Sequence, residues 1–176
     1  MLDLGCGTGG LLTKLRQRGH RRLVGIELDE RAICTCVCRG LDVVQGDLNL
    51  GLPAFDEGQF DFVVLSQTLQ AVMDVRRVLH EMLRVGREAV ISFPNFGYWR
   101  HRQSILNGRM PVSESLPHQW FNTPNVRFFT IADFEALCEL NGIVIHERLA
   151  FDEGKVVLEE PNFLASVAVY RLGRSG

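Results

Sequence analysis

Hydrophobic positions along the chain form two kinds of pattern: short continuous apolar runs, and stretches in which apolar residues recur every three or four positions. The runs are typical of strands in a sheet covered on both faces, and the recurring pattern is typical of helices that bury one face. Strands are predicted at residues 1–4, 21–27, 41–45, 60–66, 88–93, 143–149 and 163–170. Helices are predicted at 10–18, 29–39, 74–86 and 130–142. The alternation predicts an α/β fold with a mostly parallel sheet.

The last two predicted strands differ from the others because no helical pattern separates them. Two strands joined without a helix pair most easily as an antiparallel hairpin. The prediction is therefore a seven-stranded, mostly parallel sheet with a C-terminal antiparallel hairpin and a shortened first strand. Residues 171–176 are expected to form a loose tail.

A glycine-rich loop follows the first strand, with glycines at positions 5, 7, 9 and 10. Glycine allows sharp turns and lets a ligand approach the backbone, and the next helix directs its free N–H groups at that ligand. Gly5, Gly7 and Gly10 satisfy the G-x-G-x-x-G pattern of dinucleotide sites. Gly5, Gly7 and Gly9 also satisfy the G-x-G-x-G pattern of methyltransferases that use S-adenosylmethionine (AdoMet).

Asp3 distinguishes these two interpretations because it lies two residues before the first glycine, at the end of the strand. A carboxylate there would repel a pyrophosphate and attract the cationic amino-acid end of AdoMet. The AdoMet interpretation is therefore favoured over a dinucleotide site.

Two further acids follow the ends of the second and third strands. Glu27 lies where a carboxylate can accept hydrogen bonds from ribose hydroxyls, although an acid at a helix N-terminus is the alternative. Asp47 follows Gly46 and resembles the adenine site of methyltransferases, where a carboxylate accepts from the adenine amino group. A plain turn aspartate is the alternative for Asp47.

Composition narrows the class of protein. The chain has 176 residues, of which 46% are hydrophobic and 23% charged, and its net charge is −2. Nothing in these values suggests a nucleic-acid partner or a membrane surface, and no apolar run approaches the ~20 residues of a bilayer span. We expect a cytoplasmic protein that contacts neither nucleic acid nor membrane.

Cysteine spacing raises the question of a metal site. The C-x-C-x-C run at residues 34–38 differs from the usual zinc spacing, and no paired cysteines or histidines lie nearby. The run is better explained by a helix in which Cys34 and Cys38 share a face and Cys36 faces away. No metal site is expected.

The segment 96–129 is long for a connection and rich in aromatic and basic residues. It follows the carboxyl end of a strand, where open α/β sheets bind ligands. It is expected to form a lid, a partner surface or a small satellite core. Tyr98, His101 and His118 are the candidate general bases in this segment.

Taken together, residues 2–9, 25–27, 46–47 and 60–66 resemble a class I AdoMet-dependent methyltransferase. The stretches 91–102, 120–125 and 128–131 resemble the MetW family of bacterial methionine-biosynthesis proteins. The resemblance implies a Rossmann-like class I fold over residues 1–176, as a single AdoMet-binding domain with an insertion at about 96–129. Such proteins usually carry a leading helix and a longer first strand, so we expect either a natural start upstream of Met1, which is favoured, or a fold that tolerates a bare edge.

The resemblance also assigns residues to AdoMet or to its product S-adenosylhomocysteine. The methyltransferase pattern often has a histidine where this chain has Gln70 and Ala71. One possible general base is therefore absent. The residues assigned to the cofactor are Asp3, Gly5, Gly7, Gly9, Glu27, Leu28, Gly46, Asp47, Leu48 and Ser66.

MetW-type proteins are associated with homoserine O-acyltransferase, which activates homoserine early in methionine synthesis. The resemblance therefore implies an AdoMet-binding accessory protein that supports or regulates this enzyme, with the segment 96–129 as a docking face. The alternative is a true AdoMet-dependent methyltransferase acting on a small molecule, with the same segment as a lid. Methyl transfer depends mainly on in-line positioning, so the lack of an assigned catalytic residue does not exclude an enzyme.

Overall fold

The structure is a computed structural model that describes residues 1–174. Over this range the strands are β1 (Leu2–Leu4), β2 (Val24–Glu27), β3 (Asp42–Gln45), β4 (Phe60–Ser66), β5 (Gly86–Pro94), β6 (Ile143–Asp152), β7 (Lys155–Val156) and β8 (Val167–Arg174). The helices are α1 (Gly10–Gln17), α2 (Glu30–Cys38), α3 (Val75–Val85), α4 (Trp99–Leu106), α5 (Ile131–Leu140) and α6 (Pro161–Leu164). Short 3-10 helices lie at Leu48–Leu50 and Leu69–Ala71.

The strands form one eight-stranded sheet in the order β3-β2-β1-β4-β5-β8-β6-β7. Strands β1 to β5 pair in parallel, whereas β8 pairs antiparallel with both β5 and β6. The predicted α/β class, parallel sheet and C-terminal antiparallel hairpin are confirmed. The predicted number of strands is wrong by one, because β7 has only two residues and so shows no hydrophobic period.

The boundaries of the last predicted strand are also wrong. Residues 161–164 form helix α6 rather than strand, with Pro161 in its first turn, where the missing proline N–H is not needed. β8 begins at Val167 and continues to Arg174. Within the predicted loose tail, Leu172 is fully buried and Arg171 pairs with Glu88 at 2.9 Å. Residues 175–176 of that tail lie outside the described residues.

Two hydrophobic clusters hold the helices against the sheet. The larger one packs α3 and α5 against the sheet and includes the fully buried side chains of Phe93, Phe134 and Tyr170. The smaller one packs α1 and α2 against the sheet through Cys6, Leu12, Leu23, Cys36 and Leu41.

The cysteine-rich segment is helical, as predicted. Cys36 is fully buried, whereas Cys34 and Cys38 are exposed on the opposite side of α2. Among residues 1–174, no cluster of three or more histidine, cysteine or acidic side chains is placed to hold a metal ion. Over the same residues, no helix has the length and apolar character needed to cross a bilayer.

The sheet order places β1 between β2 and β4. Because these strands are parallel, the loops that follow them emerge at the same edge of the sheet. This edge carries the predicted ligand-binding residues.

Candidate functional site

Two glycines of the loop between β1 and α1 have different structural requirements. Gly7 has a φ of +54°, and a Cβ added there would have no atom within 4 Å, so this backbone borders open space. Gly9 has a φ of +76°, and a Cβ there would collide with the side chain of Leu41 and lie 3.0 Å from Cys36 Sγ. Gly7 therefore leaves room for a ligand, whereas Gly9 lets α1 pack against α2 and β3.

Glu27, at the end of β2, forms a hydrogen bond with this loop. Its Oε2 accepts a hydrogen bond from the Gly7 N–H at 2.7 Å. Its Oε1 accepts from the N–H groups of Leu28 and Asp29 at 2.8 and 3.0 Å. The carboxylate thus connects the glycine loop to the turn before α2. It also borders an open cavity of about 540 Å³, lined by Glu27, Leu28, Asp29, Glu30 and Arg31.

Asp3 lies inside the sheet, next to the start of the glycine loop. Its side chain is 2% exposed, and within residues 1–174 no group donates a hydrogen bond to its carboxylate. Burial, and secondarily the charge of Glu27, raise the pKa of Asp3 to about 7. The site therefore contains a buried carboxyl group without a partner.

Asp47 lies in a turn, where it caps a short 3-10 helix. Its Oδ1 accepts from both the backbone N–H and the side-chain amide of Asn49, each at 2.9 Å, at the start of the Leu48–Leu50 turn. No donor within the described chain reaches Oδ2. Because Oδ1 is used by Asn49, contact with the adenine amino group would require Oδ2, and this role stays a prediction.

The structure brings the remaining predicted residues to the same edge. The Gly46 N–H donates to the Glu27 carbonyl at 3.0 Å, which joins the ends of β3 and β2. A Cβ on Gly5 would lie 2.9 Å from Thr68 Cγ2, so the glycine loop also contacts the segment after β4. Leu28 is exposed, Leu48 is half-buried, and the Ser66 hydroxyl lies 3.2 Å from that of Ser92.

Sequence reasoning missed the role of Asn95, which is fully buried after β5. Its amide donates to the carbonyl of Ala165 at 2.7 Å and to that of Asn162 at 3.2 Å. Its Oδ1 accepts from the N–H groups of Gly97 and Ile131 at 2.9 and 3.2 Å. This one side chain holds together the ends of β5, α5 and α6. The only available signal was an asparagine two residues before a glycine at a strand end.

A second cavity of about 540 Å³ lies beside the segment that follows β4; we name it the polar cavity. Thr68 lines it and also contacts the Gly5 position, so this cavity adjoins the glycine loop. It is lined by Gln67, Thr68, Gln70, Ala71, Glu114, Ser115, Pro117, His118, Pro124, Asn125, Phe151, Glu153, Gly154, Ser166 and Val167.

The candidate bases occupy different environments. His101 is buried; its Nδ1 donates to the Asn95 carbonyl at 3.0 Å, and its Nε2 lies 2.9 Å from the Ser113 hydroxyl. Burial lowers the pKa of His101. The buried Tyr98 hydroxyl donates to Asp152 at 3.1 Å, and burial raises the pKa of Tyr98. Both side chains have structural roles, and only His118 of the three candidates lines the polar cavity.

The aromatic and basic segment is partly helical, since α4 occupies Trp99–Leu106. Tyr98, His101 and Leu116 of this segment are buried, and the Tyr98 and His101 rings pack edge to face at 5.2 Å. Trp120 and Phe121 are instead 72% and 69% exposed, with their rings packed edge to face at 5.8 Å. We name these two residues the aromatic ridge. The segment thus contains a satellite core and also presents an apolar surface.

Comparisons with known proteins identify relatives over nearly the whole chain. The family described as Methionine biosynthesis protein MetW matches residues 1–172. A bifunctional methionine biosynthesis protein MetXA/MetW from Rhodopirellula baltica is 44% identical over 189 residues. The alignment covers 99% of this chain, which spans only 30% of the length of that relative.

Solved structures resemble the fold. A SAM-dependent methyltransferase from Thermotoga maritima has a TM-score of 0.70 at 21% identity, covering 99% of this chain and 81% of that one. An AdoMet-dependent methyltransferase from Mesorhizobium loti has a TM-score of 0.69 at 21% identity, covering 98% and 89%. The sheet and its C-terminal hairpin are therefore those of class I methyltransferases.

Proposed function

Because the chain belongs to the MetW family of methionine biosynthesis proteins, we propose that it binds AdoMet and supports or regulates a homoserine O-acyltransferase. One observation carries the AdoMet part of this proposal: the buried, unpartnered carboxyl group of Asp3 beside the open backbone of Gly7.

A buried carboxylate is unfavourable unless a cation or hydrogen-bond donors compensate it. With its pKa raised to about 7, Asp3 carries substantial negative charge at neutral pH although no described group neutralises it. The ammonium group of AdoMet supplies both a charge and N–H donors, whereas the pyrophosphate of a dinucleotide would add repulsion. The residues at this position therefore fit AdoMet.

Glu27 and Asp47 fit the rest of the nucleoside. The Oε1 oxygen of Glu27 already accepts two backbone N–H groups, whereas Oε2 accepts one and retains a lone pair that can accept from a ribose hydroxyl. The Oδ2 oxygen of Asp47 is available to the adenine amino group. The backbone N–H groups that bond to Glu27 hold its carboxylate in place beside the glycine loop.

The partner part of the proposal is supported by the bifunctional relative. There, a MetW unit is joined to a MetXA unit in one chain, and joining two units raises their effective concentration for each other. We propose that the same association occurs here between separate chains, with the aromatic ridge as part of the docking face. Exposed tryptophan is among the side chains that contribute most strongly to protein interfaces.

Calorimetric titration with AdoMet, alone and with the acyltransferase present, tests this function. Linked sites require that the acyltransferase change the AdoMet affinity and that AdoMet change the acyltransferase affinity by the same factor. Binding of AdoMet without any such coupling would contradict the accessory role. The absence of AdoMet binding would contradict the ligand assignment itself.

A second candidate, a methyltransferase acting on a small molecule, is favoured by the polar cavity that adjoins the glycine loop through Thr68. AdoMet, when bound, supplies an electrophilic methyl group, and this chain would supply the position of the acceptor. Formation of S-adenosylhomocysteine during incubation with candidate acceptors, detected by mass spectrometry, would support this alternative.

A further inference from the structure

We propose that the polar cavity binds a small primary amine in its protonated form. The cavity shares no lining residue with those assigned to AdoMet, so amine binding goes beyond the proposed function. The occupant is specified by the charge of the cavity wall and by one buried acceptor.

The charge of the wall favours a cation. Glu114 and Glu153 line the cavity, whereas its described lining contains no lysine or arginine. Arg100 approaches Glu153 at 3.4 Å, but this pair is more than half exposed and is screened by solvent. His118 also lines the cavity and can accept a hydrogen bond when neutral. An anionic ligand would meet two carboxylates, and Arg100, which pairs with one of them, is not among the lining residues.

Gln70 supplies the buried acceptor. This side chain is 7% exposed, and its Nε2 donates to the Gln67 carbonyl at 2.7 Å, which fixes the orientation of the amide. Its Oε1 is buried and has no hydrogen-bond partner among the described residues. The Gln70 backbone carbonyl, by contrast, accepts from the N–H groups of Val126 and Arg127, both at 2.9 Å. Because Gln70 lines the cavity, a ligand bound there that reaches Oε1 would supply the missing donor.

A primary ammonium meets both conditions, because it carries a positive charge and three N–H donors. One N–H can satisfy Gln70 Oε1 while the others face the carboxylates or water. An alcohol provides a donor without the charge, and a quaternary ammonium provides the charge without a donor. Comparing these ligands separates the two contributions.

Two residues of the cavity wall have an unusual backbone conformation. Gln67 and Glu153 both line it, and both have a left-handed conformation, with φ of 53° and 47°. Glu160 is the one other non-glycine residue among 1–174 with a positive φ. Glu153 and Gly154 form the two-residue turn between β6 and β7, and this turn accounts for the conformation of Glu153.

The test is a titration of the full chain, followed by NMR, with four probes of one carbon skeleton: n-butylammonium, n-butanol, butyrate and butyltrimethylammonium. We expect saturable shifts at residues of the polar cavity with n-butylammonium, weaker shifts with n-butanol and butyltrimethylammonium, and none with butyrate. Gln70→Leu should weaken n-butylammonium binding by about tenfold or more, because the ammonium loses a buried charge-assisted hydrogen bond. Equal binding of n-butylammonium and butyrate would overturn the proposal.

Two further variants test the site independently, in case Gln70→Leu does not fold. Glu114→Gln changes an exposed side chain and should weaken n-butylammonium binding by roughly two- to fivefold, as expected for a solvent-screened pair. Glu159→Gln makes the same charge change on an exposed residue outside the cavity and should leave binding unchanged. If the two variants weaken n-butylammonium binding equally, the preference for a cation reflects only the net charge of the protein, and the proposed site is overturned. Amine binding should persist in Gly7→Ala, which distinguishes this site from the proposed AdoMet site.

Discussion

The Glu27 carboxylate accepts a hydrogen bond from the Gly7 N–H at 2.7 Å, although 20 residues separate them in sequence. The acid at the end of β2 and the open glycine of the loop after β1 are therefore one structural unit. A ligand that contacts either residue also acts on the other.

Glu27→Ala should weaken AdoMet binding by about tenfold to a hundredfold, because it removes a charge-assisted acceptor for the ribose and loosens the glycine loop. Calorimetry measures the affinity, and hydrogen exchange at the Gly7 amide measures the loop. Asp42→Ala is the matched control, since it removes an exposed acid from the neighbouring strand β3. An unchanged AdoMet affinity in Glu27→Ala would remove the ribose assignment.

Gly7→Ala places a methyl group in the open space beside the loop and should weaken AdoMet binding by at least about tenfold, through crowding of the bound ligand. The left-handed conformation of Gly7 adds a stability cost of about 1–2 kcal/mol for alanine. Gly58→Ala is the control, because Gly58 also has a positive φ of +64° and open space at its Cβ. Both variants should lose similar stability in urea denaturation. Equal AdoMet affinity in Gly7→Ala and Gly58→Ala would contradict the proposal that Gly7 leaves room for AdoMet.

AdoMet affinity should fall as the pH is lowered below about 7, because the ammonium pairs with the ionised form of Asp3, whose pKa lies near 7. Binding should therefore release a proton near neutral pH, which calorimetry in buffers of different ionisation enthalpy detects. Asp3→Asn should bind more weakly and lose this proton release. The same proton release in Asp3→Asn would show that another group titrates.

The raised pKa of Asp3 also predicts that the stability of the protein depends on pH. Its pKa is about 7 in the folded chain and near the ordinary value of 3.8 when unfolded, so the folded state binds more protons between these values. The contribution of Asp3 to stability should decrease as the pH rises from about 4 to about 7. Asp3→Asn should therefore be more stable than the wild type at pH 8, with the difference disappearing towards pH 4. Urea denaturation at both pH values measures this, and a constant difference would contradict the prediction.

Trp120→Ala should weaken association with the acyltransferase by at least about tenfold, as truncation of an interface tryptophan commonly costs more than 1 kcal/mol. Leu158→Ala is the control, because Leu158 is also a highly exposed apolar residue but lies outside the segment 96–129. Surface plasmon resonance with the immobilised acyltransferase gives both affinities. An unaffected complex in Trp120→Ala would favour the methyltransferase alternative, with the segment covering a substrate.

The sequence was sufficient for those features that depend on local patterns. The glycine loop, the acid at Glu27 and the helix of the cysteine-rich segment each follow from residues close together in the chain. The packing role of Gly9 did not, because it depends on Leu41 and Cys36, which reach it only in the folded sheet.

Long-range relationships also explain the other missed features. Asn95 is bonded to carbonyl groups more than 60 residues away, and no local pattern encodes those partners. Helix α6 interrupts an apolar run that reads as strand, because Pro161 begins a turn whose carbonyls Asn95 then holds. The unpartnered Oε1 of Gln70 is visible only once every neighbour has been placed.

The position of β8 has a consequence for synthesis of the protein. This strand follows β6 and β7 in sequence but lies between β5 and β6 in the sheet. While a ribosome is still producing it, β5 has an open edge, and the cavity that Tyr170 fills between Phe93 and Phe134 is empty. An open edge beside exposed apolar side chains favours aggregation. Translation that stops before Val167 would therefore yield a chain that contains the glycine loop but an incomplete sheet, and such a chain is a substrate for chaperones and proteases.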